Sequence, residues 1–91
     1  MSHSYSFLRL PEVLSRNGLP PSTFYLRISQ GLWTKPVKLS MRTSAWPDVE
    51  VDSLNAARIA GKSDAEIRQL VLDLEKSRIN YFARNKTGSE K

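Results

Sequence analysis

Lys35, Lys38 and Arg42 fall close together inside a stretch, residues 13–47, that contains no Asp or Glu. Cations gathered without carboxylates to neutralise them suit contacts to phosphate oxygens. Just upstream, Ser22, Thr23, Tyr25 and Arg27 bring hydroxyls and a guanidinium to a segment whose apolar pair, Phe24 and Ile28, is spaced four apart as on one helix face. Lying mostly off that face, these four can reach base edges and phosphates. The same residues also suit a plainer role, with Ser22 and Thr23 capping the helix and Tyr25 half-buried.

No catalytic constellation competes with binding. The single histidine, His3, has no Ser/His/Asp set or metal cluster to join, and the absence of cysteine excludes a disulfide framework and a thiolate metal site. No glycine-rich phosphate loop is present, and Asp48, Glu50 and Asp52 read as ordinary helix-start charges. We therefore expect no enzyme, no metal and no cofactor. In 91 residues we also expect no room for a ligand pocket of about 300 Å³ beside a core and a binding surface, and hence no small-molecule ligand.

The net charge of +5 is unevenly spread. Residues 1–46 hold Arg9, Arg16, Arg27, Lys35, Lys38 and Arg42 against Glu12 alone, whereas residues 47–91 hold eight charges of each sign. A one-sided basic surface points to a polyanion, either nucleic acid or an anionic membrane. No apolar run approaches the roughly 20 residues that span a bilayer, no signal-peptide pattern opens the chain, and no helix pairs a basic face with a large apolar one. Double-stranded DNA is the expected partner, with no membrane contact and a cytoplasmic, nucleoid-associated location.

The elements that must position these groups are legible from local signals. Residues 1–6 are small and polar and are expected to be disordered. Residues 7–10, FLRL, read as a short strand or extended arm ending at Pro11. A short helix with Val13 and Leu14 stops at Asn17 and Gly18, and a second spans about residues 21–30 before Gly31. Two short helices joined by a few residues that include glycine form a helix-turn-helix pattern. Residues 37–39 and 44–46 then read as a β-hairpin with a basic tip, bracketed by Trp33 and Trp46, both expected in the core. A third helix starts near Pro47, buries Val51, Leu54 and Ala57, and breaks at Gly61. Ser63 and Glu66 have capping-box spacing and open a fourth helix.

The pattern predicts a mainly α fold with a small β-hairpin: a winged helix-turn-helix over residues 7–61 with a long C-terminal helix over residues 63–85 and a polar tail over residues 86–91. The second helix is narrow enough for the major groove, and the hairpin can follow adjacent backbone or the minor groove. On the C-terminal helix Ile67, Val71, Leu74 and Tyr81 have coiled-coil-like spacing, interrupted by Arg78. That stripe predicts a homodimer or a cooperative assembly on DNA; the alternative is that it folds back on its own domain.

In order and spacing, FLRLPEVLSRNGL (7–19), STFYLRISQG (22–31), KPVKL (35–39) and SAWPDVEVD (44–52) resemble the AlpA-type phage regulatory proteins. That family is related to small excisionases and to MerR-like winged helix-turn-helix domains, and the resemblance extends over residues 7–60. It implies a DNA-binding regulator carried by a prophage, genomic island or other mobile genetic element. Such proteins serve in transcription regulation, including activation of integrase genes, or as recombination directionality factors that promote excision. It also implies recognition-helix contacts at Ser22, Thr23, Tyr25 and Arg27, and wing contacts at Lys38, Arg42 and Thr43. Two departures stand out. Pro20 and Pro21 replace the family's usual Ser-Arg type pair, which removes one contact and leaves Ser22 as the expected cap. The helix over 63–85 exceeds the usual family domain, so the resemblance assigns it no role. The expected function is a sequence-specific DNA-binding excisionase, or regulator of the excision module, with integrase as a candidate partner. The alternatives are a plain activator of an integrase gene and, in a different class, an interaction adaptor working through the C-terminal helix.

Overall fold

Proline and glycine set the bounds of the first helices. In a computed structural model that describes the backbone of residues 5–89 and the side chains of residues 5–82, α1 spans Leu10–Asn17 with Pro11 in its first turn. A missing N–H costs no helix bond there. Gly18 ends α1 at φ 73°, a left-handed conformation that favours glycine. The Asn17 side chain closes the turn, its Oδ1 accepting the Leu19 N–H at 2.9 Å. The next helix, α2, spans Pro21–Ser29 and has no side-chain cap. Ser22 is therefore not the cap the sequence suggested. Pro21 lacks an N–H, so one donor fewer needs satisfying, and the Pro20 carbonyl already accepts the Phe24 N–H at 3.0 Å.

The hairpin follows as β2 (Val37–Ser40) and β3 (Thr43–Pro47), antiparallel, with Met41 and Arg42 at its tip and an irregular register between Lys38 and Ser40. Residues 7–10 resolve into a strand, β1 (Phe7–Leu8), paired with the other edge of β3 so that Leu8 faces Trp46. The expected hairpin is thus part of a three-stranded sheet ordered β1-β3-β2. A two-residue strand is too short for alternation to reveal.

Two further helices complete the fold: α3 (Asp48–Ile59), entered directly from Pro47, and α4 (Asp64–Ser89). Of the segment expected to be disordered, residues 1–4 lie outside the described residues, as does His3. Ser6 is placed, and its carbonyl accepts the Asp48 N–H at 2.9 Å. The backbone of α4 continues to Ser89, through most of the expected polar tail; residues 90–91 lie outside the described residues. Together these elements give a mainly helical, winged-helix-like fold.

Phe24 occupies the centre of the core. Its ring meets Trp33 and Trp46 edge-on, at centroid distances of 5.5 and 5.2 Å, and Val13, Leu32, Val51 and Leu54 are buried in the same cluster. Both tryptophans are core residues. From α4, Ile67 and Val71 enter this core at 1% and 4% exposure, while Leu74 packs against it from the side. The apolar stripe of α4 is used by its own domain at these positions, which leaves Ile67 and Val71 no surface to offer a second chain.

Polar clamps fix α4 along the connection between α2 and β2. Arg68 Nε donates to the Gln30 carbonyl at 2.9 Å, and Glu75 Oε2 accepts the Lys35 N–H at 2.9 Å. Arg78 grips Glu50 with two hydrogen bonds of 2.7 Å and donates to the Lys35 carbonyl at 2.6 Å. Glu50 is fully buried, so it is not the ordinary helix-start charge suggested by the sequence. Arg78 likewise does not interrupt a seam; it supplies the countercharge for Glu50. Hydrogen bonding to Glu50 raises the Arg78 pKa above its ordinary value.

The start of α4 carries the expected capping box. Ser63 N–H donates to Glu66 Oε1 at 2.9 Å, and Glu66 N–H donates to Ser63 Oγ at 3.2 Å. The bond from the Ser63 backbone, then that from its side chain, and then Lys62 hold the Glu66 carboxyl below the ordinary carboxylate range. A carboxyl depressed on folding stabilises the fold above its ordinary pKa and loses that contribution as pH falls through its folded value. Acidification is expected to free the Ser63 amide before global unfolding, read as loss of its hydrogen-exchange protection. Glu66→Gln should remove that pH step. A Ser63 amide whose protection ignores pH throughout the carboxylate range contradicts the cap.

Candidate nucleic-acid interface

A helix turns about 100° per residue, so burying Phe24 turns residues 22, 26 and 29 outward. Ser22 and Ser29 are exposed, and Leu26 is 54% exposed. Tyr25 is also exposed, its ring 5.7 Å from that of Phe24, and Thr23 is half-buried on the opposite flank. Three of the four candidates on this helix thus border one accessible surface. Arg27 is set apart. It is half-buried and lines a groove of about 240 Å³ with Asn17, Trp33, Asn55, Arg58 and two leucines. Leu26 and Ser29, which are not among the sequence candidates, share the outward side of α2; their spacing opposite Phe24 and Ile28 is the signal that marks them. The Ser29 hydroxyl donates to the Leu26 carbonyl at 2.7 Å.

The basic residues of the hairpin divide in the same way. Lys38 is exposed on the edge strand β2, and its Nζ donates to the Met41 carbonyl across the tip at 3.2 Å. Arg42 is exposed beside Met41, itself 89% exposed, and Thr43 is half-buried opposite Ser40. Lys35 lies before the hairpin, where Glu75 and Arg78 hold its backbone while its side chain remains exposed. Neither α2 nor the hairpin contains a carboxylate. Both can therefore approach a polyanion without like-charge repulsion.

The C-terminal candidates do not form one surface. Ile67 and Val71 are buried, Leu74 is half-buried, and the Tyr81 ring lies 4.9 Å from that of Tyr5. Among the described residues, the large apolar side chains that α4 exposes are instead Leu72, Ile79 and Phe82. Between α4 and β1 lies an open apolar groove of about 330 Å³, bordered by Phe7, Val37, Pro47 and Phe82. It slightly exceeds the volume for which the sequence left room. No helix among the described residues is long and apolar enough to cross a membrane.

Comparison with known proteins adds two matches. The model of a family described as prophage CP4-57 regulatory protein (AlpA) matches residues 6–59. A protein of Enterobacteria phage P4, named "Uncharacterized protein ORF88", is 43% identical over 56 residues, which are 62% of this chain and 64% of that protein. The chain therefore spans less than two-thirds of the length of this curated relative. No solved structure matches the chain.

Proposed function

The chain belongs to the AlpA family of prophage regulatory proteins, and from that premise we propose that it binds double-stranded DNA sequence-specifically and controls excision of a prophage or genomic island. In this reading it acts as an excisionase, a recombination directionality factor, or as regulator of the excision module. The observation that carries the DNA reading is the carboxylate-free pair of exposed features, the outer side of α2 and the tip of the hairpin.

With α2 in the major groove, which is about 12 Å wide, Ser22, Thr23 and Tyr25 stand at base edges and phosphates, and Leu26 can meet a thymine methyl. Lys38, Arg42 and Thr43 lie against the neighbouring backbone or minor groove, with Lys35 beside them. Adjacent protomers contact each other through Leu72, Ile79 and Phe82, the apolar side of α4 that its own domain leaves exposed. Integrase is the candidate protein partner.

Binding measured by gel shift against salt is expected to give a log–log slope of roughly −4 to −5 per protomer, from about four to six phosphate contacts at about −0.9 each. A slope near zero removes the basic half from DNA contact. Substitutions should separate the two features. Arg42→Ala is expected to weaken binding to every sequence and flatten the slope by about one unit. Thr23→Ala or Tyr25→Ala should cost about 1–3 kcal/mol on the cognate site and little on random DNA. Equal losses on both DNAs exclude these two residues from direct base readout.

A further inference from the structure

The groove that takes Arg27 away from the outer side of α2 is lined by hydrogen-bond donors from three elements and by no carboxylate. Arg27 comes from α2, Asn55 and Arg58 from α3, Asn17 from the end of α1, and Trp33 from the connection after α2. Two of these residues carry buried N–H groups without an acceptor among the described residues, Trp33 Nε1 and Asn17 Nδ2. Trp33 as a whole is 4% exposed. The Asn17 amide orientation is set by its other end, since Oδ1 accepts the Leu19 N–H. Native proteins leave few buried donors unpaired.

The charges in the groove are similarly uncompensated. Arg27 has no carboxylate within 4 Å among the described residues, and Arg58 has only Asp64 at 3.5 Å, an exposed contact of little strength. Asn55 Nδ2 donates to the Arg16 carbonyl at 3.2 Å, which holds the end of α1 against α3 and keeps the walls together. Two guanidiniums with further N–H donors nearby match the several acceptor oxygens of a tetrahedral oxyanion.

We infer that this groove is a phosphate site, taking either a backbone phosphodiester of duplex DNA or a free phosphate ion. The first source rests on the DNA-binding reading. Thr23 and Arg27 share one flank of α2 by helical spacing, so a duplex that receives α2 in its major groove brings a sugar-phosphate strand along that flank. The second source does not depend on DNA at all.

The full-length chain provides its own probe. Its two tryptophans give two indole N–H resonances in a proton–nitrogen spectrum. Trp46 Nε1 already donates to the Thr34 carbonyl at 2.9 Å and reports folding; Trp33 reports the groove. Inorganic phosphate is expected to shift the Trp33 indole saturably, and Arg58→Gln to weaken that titration about tenfold, the loss of one charge-assisted hydrogen bond. Arg27→Gln is the second variant, and an unmoved Trp46 resonance certifies that each is folded. A duplex of arbitrary sequence, added at low salt, distinguishes the sources. If it also shifts Trp33 in an Arg58-dependent way, the phosphate is that of the backbone. If it shifts only α2 amides, or nothing, while phosphate still moves Trp33, the site takes the free ion; in the latter case the DNA reading fails and the groove stands. A Trp33 resonance that neither probe moves overturns the inference, with the DNA reading intact if α2 amides respond. A phosphate response that survives both substitutions unchanged overturns it as well.

Discussion

Truncation after Lys62 is expected to leave a chain without a cooperative unfolding transition. The cut removes Ile67 and Val71 from the core, and burying one such side chain stabilises a fold by about 1.5–3 kcal/mol. It also removes Arg78 and leaves the Glu50 carboxylate without its countercharge. Breaking a buried pair from one side costs about 3–5 kcal/mol. Together these losses come to about 6–11 kcal/mol, comparable with the whole stability of about 5–14 kcal/mol expected for a domain of this length. The hydrogen bonds to the Gln30 and Lys35 backbone go as well. Urea unfolding followed by tryptophan fluorescence reads the outcome, and a fragment 1–62 that keeps the full transition refutes the account.

The charged pair can be isolated from the rest of α4. Arg78→Ala should destabilise by about 3 kcal/mol, the lower end of the range, because its side chain is 23% exposed and water can partly replace it. The double change Glu50→Met with Arg78→Leu should cost less than Arg78→Ala alone, since it leaves no charge buried. A group whose pKa is raised on folding contributes fully below its ordinary value and loses that contribution only as pH rises through the folded one. For Arg78 that window lies beyond the ordinary guanidinium range, so the pair should persist at mildly alkaline pH.

Local signals made much of the fold legible. Gly18, Gly31 and Gly61 all adopt left-handed φ values, 73°, 76° and 78°, at the points where glycine suggested a helix stop. Ser63 and Glu66 form their cap across three residues, and the hairpin strands lie where alternation placed them. Each of these depends on neighbours within one turn of chain. Glu50 and Arg78 are 28 residues apart, and neither carries a local mark distinguishing a buried charge from a surface one. Arg68, Glu75 and Arg78 border the apolar stripe of α4, yet a polar border announces no acceptor until the α2–β2 connection is known to lie beneath it. At the candidate interface the helical angle to Phe24 puts Leu26 on the outward side of α2 and Arg27 on its flank beside Asn55 and Arg58, a division that residue type alone does not mark.

Excision of the element is expected to remain dependent on this protein when integrase is supplied from an unrelated promoter. An activator that acts only on the integrase gene becomes dispensable once that promoter is bypassed, whereas a factor that shapes the recombination site does not, so the contrast is between no effect and near-complete loss. For such a factor the work is mechanical: smooth bending of a short site costs on the order of 1–6 kcal/mol, and several protomers bound side by side can offset it. Leu72 and Ile79 lie seven residues apart on the exposed side of α4, a spacing that returns to the same helix face, and they supply the protomer contact in this scheme. Leu72→Glu with Ile79→Glu should therefore lower excision and cooperative binding to tandem sites, while binding to one isolated site stays unchanged. If excision with the bypassed promoter no longer needs the protein, and the native integrase promoter still does, the protein is a transcriptional activator and the directionality-factor reading fails.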